Sequence, residues 1–346
     1  MRRIVPLLLM TLVVFAATWV FLSAFRVSGL DSVSIQPRDP GGGESSLDVV
    51  RKKIKSLISS ANPGDELVMA PGNPVPTISI ATFNLGSYDS QKSRKPQVVD
   101  VVARIAREFD ILAVQEVRSN TDDLLPKLVG LINQTGKVYD FAIGPRVGPK
   151  DNKSQYAFIF DTQTVELDRS ELYTIDDRHN LMSYEPFVGW FRTRGSNPES
   201  AFTFTLVNVQ IDPVALAQEI NVLDDILFAV RDDGRGEDDV ILLGDFQTAP
   251  GQFGDIDRIS NVGFSVINVP TNVESTATLD NLIFHKPATG EFSGHAGVFD
   301  FLRKYNLDLE TALEISDHLP VWAQFSVFEG GEVGRVATTI DAPMRH

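Results

Sequence analysis

Apolar runs that stop on a carboxylate or an amide recur along this chain, and they limit its fold more than any single motif does. Residues 78–83 lead to Asn84, and residues 112–114 lead to Gln115 and Glu116. Residues 240–244 lead to Asp245, with Phe246 and Gln247 next. Asp280 and Asn281 open the run 282–284, and Asp317 and His318 stand just before Pro320 and Val321. Runs this apolar are buried, so the acids at their ends need hydrogen-bond or ionic partners. Each alone reads as a capped turn. Together they suit strands of a rigid frame that present polar side chains at their ends.

The periodicity between these runs supplies the frame. Strands are expected at 77–83, 111–117, 139–144, 155–161, 239–243, 280–285 and 321–327, and the stretches 186–193 and 201–211 are rich in β-branched and aromatic residues. Helices are expected at 96–109, 122–132 and 214–230; the last carries Leu216, Ile220, Leu223, Leu227 and Val230 on one stripe. Strands first alternate with helices and then cluster. That order predicts an α/β layered domain with mixed sheets, and no repeat indicates a solenoid.

Ahead of this domain, Met1-Arg2-Arg3 precede an uncharged apolar run over 4–25, closed by Arg26. About twenty apolar residues suffice to span a bilayer as a helix. Residues 1–26 are therefore expected to be a membrane anchor, or alternatively a signal segment, with the rest of the chain outside the cytoplasm, anchored or secreted. Residues 27–76 read as a linker, with a possible short helix over 47–58, and residues 329–346 as a flexible tail.

The formal net charge of −15 argues against a broad basic surface for tight, sequence-independent nucleic-acid binding, although bound cations can offset the charge at a phosphodiester site. The chain has no cysteine, so disulfides, thiolate catalysis and Cys-ligated metals are excluded too. Glu, Asp and Asn oxygens without Cys suit a hard cation such as Mg²⁺, Mn²⁺ or Ca²⁺. A hard cation next to an acid-held histidine favours phosphoryl chemistry: the metal polarises a phosphate and the imidazole moves a proton.

Thr82-Phe83-Asn84, Val114-Gln115-Glu116-Val117-Arg118, Gly244-Asp245-Phe246, Asp280-Asn281-Leu282-Ile283 and Ile315-Ser316-Asp317-His318-Leu319-Pro320-Val321 together resemble the endonuclease/exonuclease/phosphatase superfamily, and within it the deoxyribonuclease I-like branch. The resemblance covers residues 77–328. It implies a four-layer sandwich, two packed mixed β-sheets flanked by helices on both outer faces. It also implies a divalent-metal-dependent phosphodiesterase using Mg²⁺ or Mn²⁺, with Ca²⁺ a further candidate.

By position, the resemblance makes Glu116 the principal metal-binding carboxylate, with Asn84 beside it contacting metal or phosphate. Asp245 matches the acid that positions the attacking water or the phosphate. Asp280 matches the acid that orients the catalytic histidine, His318, and Asp317 the acidic neighbour of the metal region. Arg118 matches a substrate-contacting arginine. Four positions depart from the pattern. Gln210 stands where a second histidine is found, Ser154 where that histidine's glutamate is found, Gln247 replaces an asparagine, and Tyr184 replaces an arginine. Gln210 can donate hydrogen bonds to a phosphate but cannot act as an acid or base. The substrate implied is a nucleic acid ahead of a phospholipid or phosphoinositide head group. A catalytically impaired binding protein on the same fold is the remaining alternative.

Overall fold

The computed structural model describes residues 75–195 and 197–331, preceded by the backbone of a short antiparallel strand pair, β1 (Phe25–Ser28) and β2 (Ser34–Pro37). The apolar segment up to residue 24, the segment 47–58 and the tail beyond residue 331 lie outside the described residues. Among the described residues, no helix is long and apolar enough to cross a membrane.

Two six-stranded mixed sheets form the domain. In one, the order is β13 (Phe292–Val298), β14 (Val321–Ser326), β3 (Thr77–Tyr88), β4 (Ile111–Val117), β6 (Gln155–Asp161) and β5 (Tyr139–Ile143). In the other it is β11 (Val262–Phe264), β12 (Asp280–His285), β10 (Val240–Asp245), β9 (Thr203–Gln210), β8 (Phe187–Thr193) and β7 (Val165–Thr174). Each sheet has one parallel pair at its centre, β3 with β4 and β9 with β10. Asn84, Glu116, Gln210 and Asp245 thus share the carboxyl ends of four central strands. β12 and β14 run antiparallel to β10 and β3, so they begin where those strands end and bring Asp280 and His318 to the same edge.

Side-chain alternation builds the layers. Ile78 and Ile80 of β3, Phe158 of β6, Phe191 of β8, Leu206 of β9 and Phe284 of β12 meet between the sheets. Phe191 and Phe204 stack at 5.7 Å, and Phe202 and Phe204 at 4.6 Å, in an aromatic seam. Such pairs contribute roughly 0.5–1.5 kcal/mol each beyond their buried area. The alternate residues face outward: Phe83, Leu112 and Ile159 pack under α1 (Pro96–Ala106) and α2 (Leu124–Asn133). Val207, Leu242 and Ile283 pack under α3 (Leu216–Glu219) and α4 (Leu223–Arg231). Two short helices, α5 (Phe301–Tyr305) and α6 (Leu309–Ile315), lead into the Asp317-His318 segment. Asp300 and Asp308 cap them by accepting from Arg303 N and Thr311 N.

The single helix expected over 214–230 is broken, because a 3-10 turn over Ile220–Val222 separates α3 from α4. Glu219 at the break is fully buried, and its two oxygens accept from the backbone N–H groups of Ser183 and Asp212. These bonds tie the helix start to two loops and fix the tighter turn.

Gly244 sets the spacing of the central parallel pair. Its φ is +152°, and a Cβ there would lie 1.8 Å from the Val209 carbonyl oxygen. Gly244→Ala is expected to cost on the order of 3 kcal/mol or more, from backbone strain plus displacement of β9. Thermal unfolding should then fall by about 6 °C or more. An unchanged melting temperature would contradict this account of the β9–β10 contact.

Candidate active site

Along the inter-sheet face the apolar pattern gives way to polar residues as the strands approach one edge. Thr82, Gln115 and Asn208 occupy inward positions and are fully buried. Gln115 Nε2 donates to Thr82 Oγ1 at 2.9 Å and to Asn208 Oδ1 at 2.6 Å, which joins the two sheets. Asn208 Nδ2 donates to the carbonyls of Val114 and Ala157, each at 3.2 Å. Above this floor opens a cleft of about 340 Å³, lined among others by Asn84, Glu116, Arg118, Gln210, Asp245 and His318.

Local backbone geometry aims the acids. Between Val114 and Val117 the pairing of β4 slips against β6, and Glu116 adopts φ +61°. A bulge of this kind re-aims a side chain that strict alternation would send to the outer layer. β3 breaks its pairing between Asn84 and Tyr88, where Gly86 and Ser87 have φ of +56° and +61°. Gly86 is needed in that turn, since a Cβ would press within 3.3 Å of Asp317 Oδ1 and of Ser316 Oγ. Gln247 also has a left-handed φ, +55°. Positive φ at three non-glycine residues lining one cleft is the strain expected where a site is held in a fixed shape.

The histidine side of the cleft is fully wired. His318 Nδ1 donates to Asp280, at 3.0 Å from Oδ1 and 2.9 Å from Oδ2. Thr271 Oγ1 donates to Asp280 Oδ2 at 2.8 Å while accepting from Leu279 N and Asp280 N. Ser316 Oγ donates to the Asn84 carbonyl at 2.7 Å and accepts from His318 N, which anchors the segment to the end of β3. With Nδ1 engaged, Nε2 is the free ring nitrogen, 3.8 Å from Asp245 Oδ2. Asp245 accepts from Asn84 Nδ2 at 3.0 Å and from Gln247 Nε2 at 2.8 and 2.9 Å.

These contacts set the charges. Burial works against a charged His318, yet the carboxylates of Asp280 and Asp245 outweigh it and hold the imidazole up to about 10. Burial raises Asp245 to about 7, opposed by His318 and by the amide donors of Gln247 and Asn84. The two carboxylates thus favour the charged form of the imidazole against its burial.

The glutamate side is more open. Glu116 Oε2 accepts from Ser87 N at 2.8 Å and from Ser87 Oγ at 3.0 Å, and pairs with Arg118 at 3.2 Å. Oε1 accepts only Gln210 Nε2, at 2.8 Å, and so keeps a lone pair for another partner. Gln210 Oε1, on the same amide, is buried without a partner. Asp317 is exposed at the rim, and Lys92 donates to the Leu85 and Gly86 carbonyls, at 2.5 and 2.8 Å. Burial lowers the Lys92 ammonium to about 8 although Asp317, Glu116 and Asp89 favour its charge.

These residues fit a hard divalent cation, because Glu116 and Asp317 offer carboxylate oxygens and Gln210 an unsatisfied amide oxygen, with no soft donor near. Asp245, Asp280 and His318 also lie within 4.8 Å of one another. However, Asp280 is occupied by His318 and Thr271, so that trio reads better as the proton-transfer side than as the cation cage.

The structure thus brings Asn84, Glu116, Arg118, Gln210, Asp245, Gln247, Asp317 and His318 to one cleft, with Asp280 directly behind His318. Asn84 bonds to Asp245 rather than to Glu116. Tyr184 does not join them: it is buried, and its hydroxyl accepts from Asn152 Nδ2 at 2.8 Å. Asn152 in turn accepts from Arg118, so Tyr184 supports the arginine from a distance. Ser154 is buried and bridges to Val147. Ser87, Lys92, Thr271 and Asn208 were not legible as site residues in the sequence, whereas Gln115 was read there as a polar strand end but not as the partner of Asn208. Alternation was the available signal for Gln115 and Asn208, since both interrupt inward apolar positions.

The profile of the Endonuclease/Exonuclease/phosphatase family matches residues 81–318. The chain is 30% identical to deoxyribonuclease-1-like 1 of Bos taurus over 268 residues, covering 74% of this chain and 82% of the relative. It is 27% identical to deoxyribonuclease-1 of Bos taurus over 263 residues, 71% of this chain and 91% of the relative. Among solved structures, the human Nocturnin catalytic domain with bound sulfate superposes with a TM-score of 0.51 at 16% identity, covering 74% of this chain and 96% of that one. That likeness concerns the fold alone.

Proposed function

The chain belongs to the endonuclease/exonuclease/phosphatase family, and from that premise we propose that it is a divalent-metal-dependent phosphodiesterase acting on DNA or RNA. The observation that carries the reading is the Asp280–His318 hydrogen bond behind an Nε2 that faces Asp245 across the cleft. The deoxyribonuclease names of its relatives support the nucleic-acid substrate class.

In this reading, Asp280 fixes the ring of His318 and stabilises its charged form, leaving Nε2–H to donate to a phosphate oxygen or to return a proton to the leaving oxygen. Asp245, held by Asn84 and Gln247, aligns the attacking water and takes its proton as the new P–O bond forms, while the proton for the leaving oxygen comes from His318 Nε2–H. Arg118, which lines the cleft and pairs with Glu116, offers its guanidinium to a phosphate oxygen, and Gln210 steadies Glu116. Glu116 and Asp317, with Mg²⁺ or Mn²⁺ bound, would supply Lewis-acid stabilisation of the charge that develops on the phosphate. Because Gln210 cannot carry a proton, His318 is the sole imidazole in this chemistry.

A substrate panel tests the class. The purified chain with Mg²⁺ or Mn²⁺ should cleave plasmid DNA or single-stranded RNA faster than it hydrolyses inositol phospholipid vesicles. Faster turnover of the vesicles would move the substrate to a lipid head group. Absence of all three activities would reject the enzyme reading.

A further inference from the structure

Positions 154, 184 and 210, which depart from the deoxyribonuclease I-like pattern, are tied together behind the cleft. Tyr184 is only 3% exposed, and the loop between β5 and β6 lies on its ring. Gly148 makes that approach possible: its φ is +100°, and a Cβ there would lie 2.4 Å from Tyr184 Cε1. Val147 and Ser154 close the loop by exchanging backbone hydrogen bonds of 2.9 Å, and Asn152 N donates to the Pro149 carbonyl within it.

Both ends of Tyr184 are engaged. Its hydroxyl accepts from Asn152 Nδ2 at 2.8 Å, and Asn152 Oδ1 accepts from Arg118 Nη1. Arg118 Nη2 pairs with Glu116 Oε2 at 3.2 Å, and Glu116 Oε1 accepts from Gln210 Nε2 at 2.8 Å. Gln210 N donates to the Tyr156 hydroxyl at 3.0 Å, and that hydroxyl donates to the Tyr184 carbonyl at 3.2 Å. These links close into a circuit, with Glu116 and Arg118 in the cleft and Tyr184 buried behind them.

The hydroxyl decides which end of the Asn152 amide meets the arginine. With Nδ2 donating to Tyr184, Oδ1 is the atom left for the guanidinium, whereas the reversed amide would set two donors face to face. Arg118 is thereby held from two sides, by this neutral amide and by Glu116. Direction matters for such a group, because a guanidinium is a planar fork that meets a phosphate well only when aligned.

We infer that Tyr184 and Asn152 are positioning residues for substrate binding: the Tyr184 hydroxyl orients the Asn152 amide, which aims the Arg118 guanidinium at a phosphate in the cleft. The role rests on the phosphodiesterase reading for the identity of its ligand. Arg118 would meet a phosphate oxygen before the reaction as well as during it, so its misalignment weakens binding and leaves the chemical step alone.

Tyr184→Phe keeps the ring under Gly148 and removes only the hydroxyl. It should raise KM for single-stranded DNA by about 3–10-fold, the scale of one net hydrogen bond, with kcat held within about twofold. Asn152→Ala, at an exposed side chain, should do the same. In an Arg118→Ala background neither substitution should raise KM further, because the group they act through is gone. The dissociation constant of a short fluorescein-labelled single-stranded DNA, read by anisotropy in chelator, should follow the same pattern without any turnover. Unchanged KM and dissociation constant in both variants, or an equal rise in the Arg118→Ala background, would overturn the inference and leave the phosphodiesterase reading intact. A native protein that binds the strand in this Tyr184-dependent way but cleaves no substrate would uphold the inference and reject that reading. One that neither binds nor cleaves would reject both.

Discussion

His318→Ala is expected to lower kcat/KM for phosphodiester hydrolysis by roughly 10²–10⁴-fold, the range for loss of a positioned acid–base group. The ring has a single free nitrogen in the cleft, Nε2, and no second histidine shares its work, since Gln210 occupies the facing strand end. The alanine variant also leaves Asp280 buried with only the Thr271 hydroxyl and no cation, so it should melt lower than the native protein. His318→Asn separates the two effects. Its amide can still donate to Asp280, so it should recover much of the lost stability and none of the lost turnover. If His318→Asn retained more than about a tenth of native activity, His318 would be a structural residue and the proposed chemistry would fail.

The second large effect is expected from Asp280→Asn. Asp280 makes the closest contact to His318 and is the strongest influence favouring its charge. Without that carboxylate, the largest influence opposing burial is gone and the imidazole pKa falls, although Asp245 and Asp317 still favour its charge. The alkaline limb of the pH–rate profile should move to lower pH, and kcat should drop by about 10²–10⁴-fold at neutral pH. Stability carries the same signature. A histidine whose folded pKa is raised from 6.5 to about 10 contributes stability that is complete below 6.5 and is lost as pH rises through about 10. Asp280→Asn should flatten the melting temperature across that window. A variant with unchanged pH profiles for both rate and melting would show that Asp280 does not set the state of His318.

Much of this site was legible in the sequence because its chemistry lies at strand ends. The apolar runs before Asn84, Glu116 and Asp245, and those after Asp280 and His318, fixed the strands. The parallel and antiparallel pairings then brought their ends to one edge. The order of motifs supplied the pairing of Asp280 with His318, which are 38 residues apart. What stayed hidden depends on geometry that periodicity does not carry. The bulge at Glu116 and the left-handed residues Gly86 and Ser87 decide which donors meet the glutamate. Tyr184 was expected on the substrate side, but it lies buried, with its hydroxyl on Asn152.

Two edge strands were equally hard to read. β7 and β13 pair on one side only, so their composition is largely polar or glycine-rich, and neither gave a strand signal. The helix over 214–230 was found as one element because its apolar stripe is continuous. The break at Ile220–Val222 follows from Glu219, whose buried carboxylate bonds to loops distant from the helix.

The most direct test of the account is the rate at which the purified full chain hydrolyses an activated phosphodiester at neutral pH, measured with Mn²⁺, with chelator, and for His318→Asn with Mn²⁺. The account predicts turnover in the first case alone. Turnover that survives chelation, or that His318→Asn retains, would contradict it.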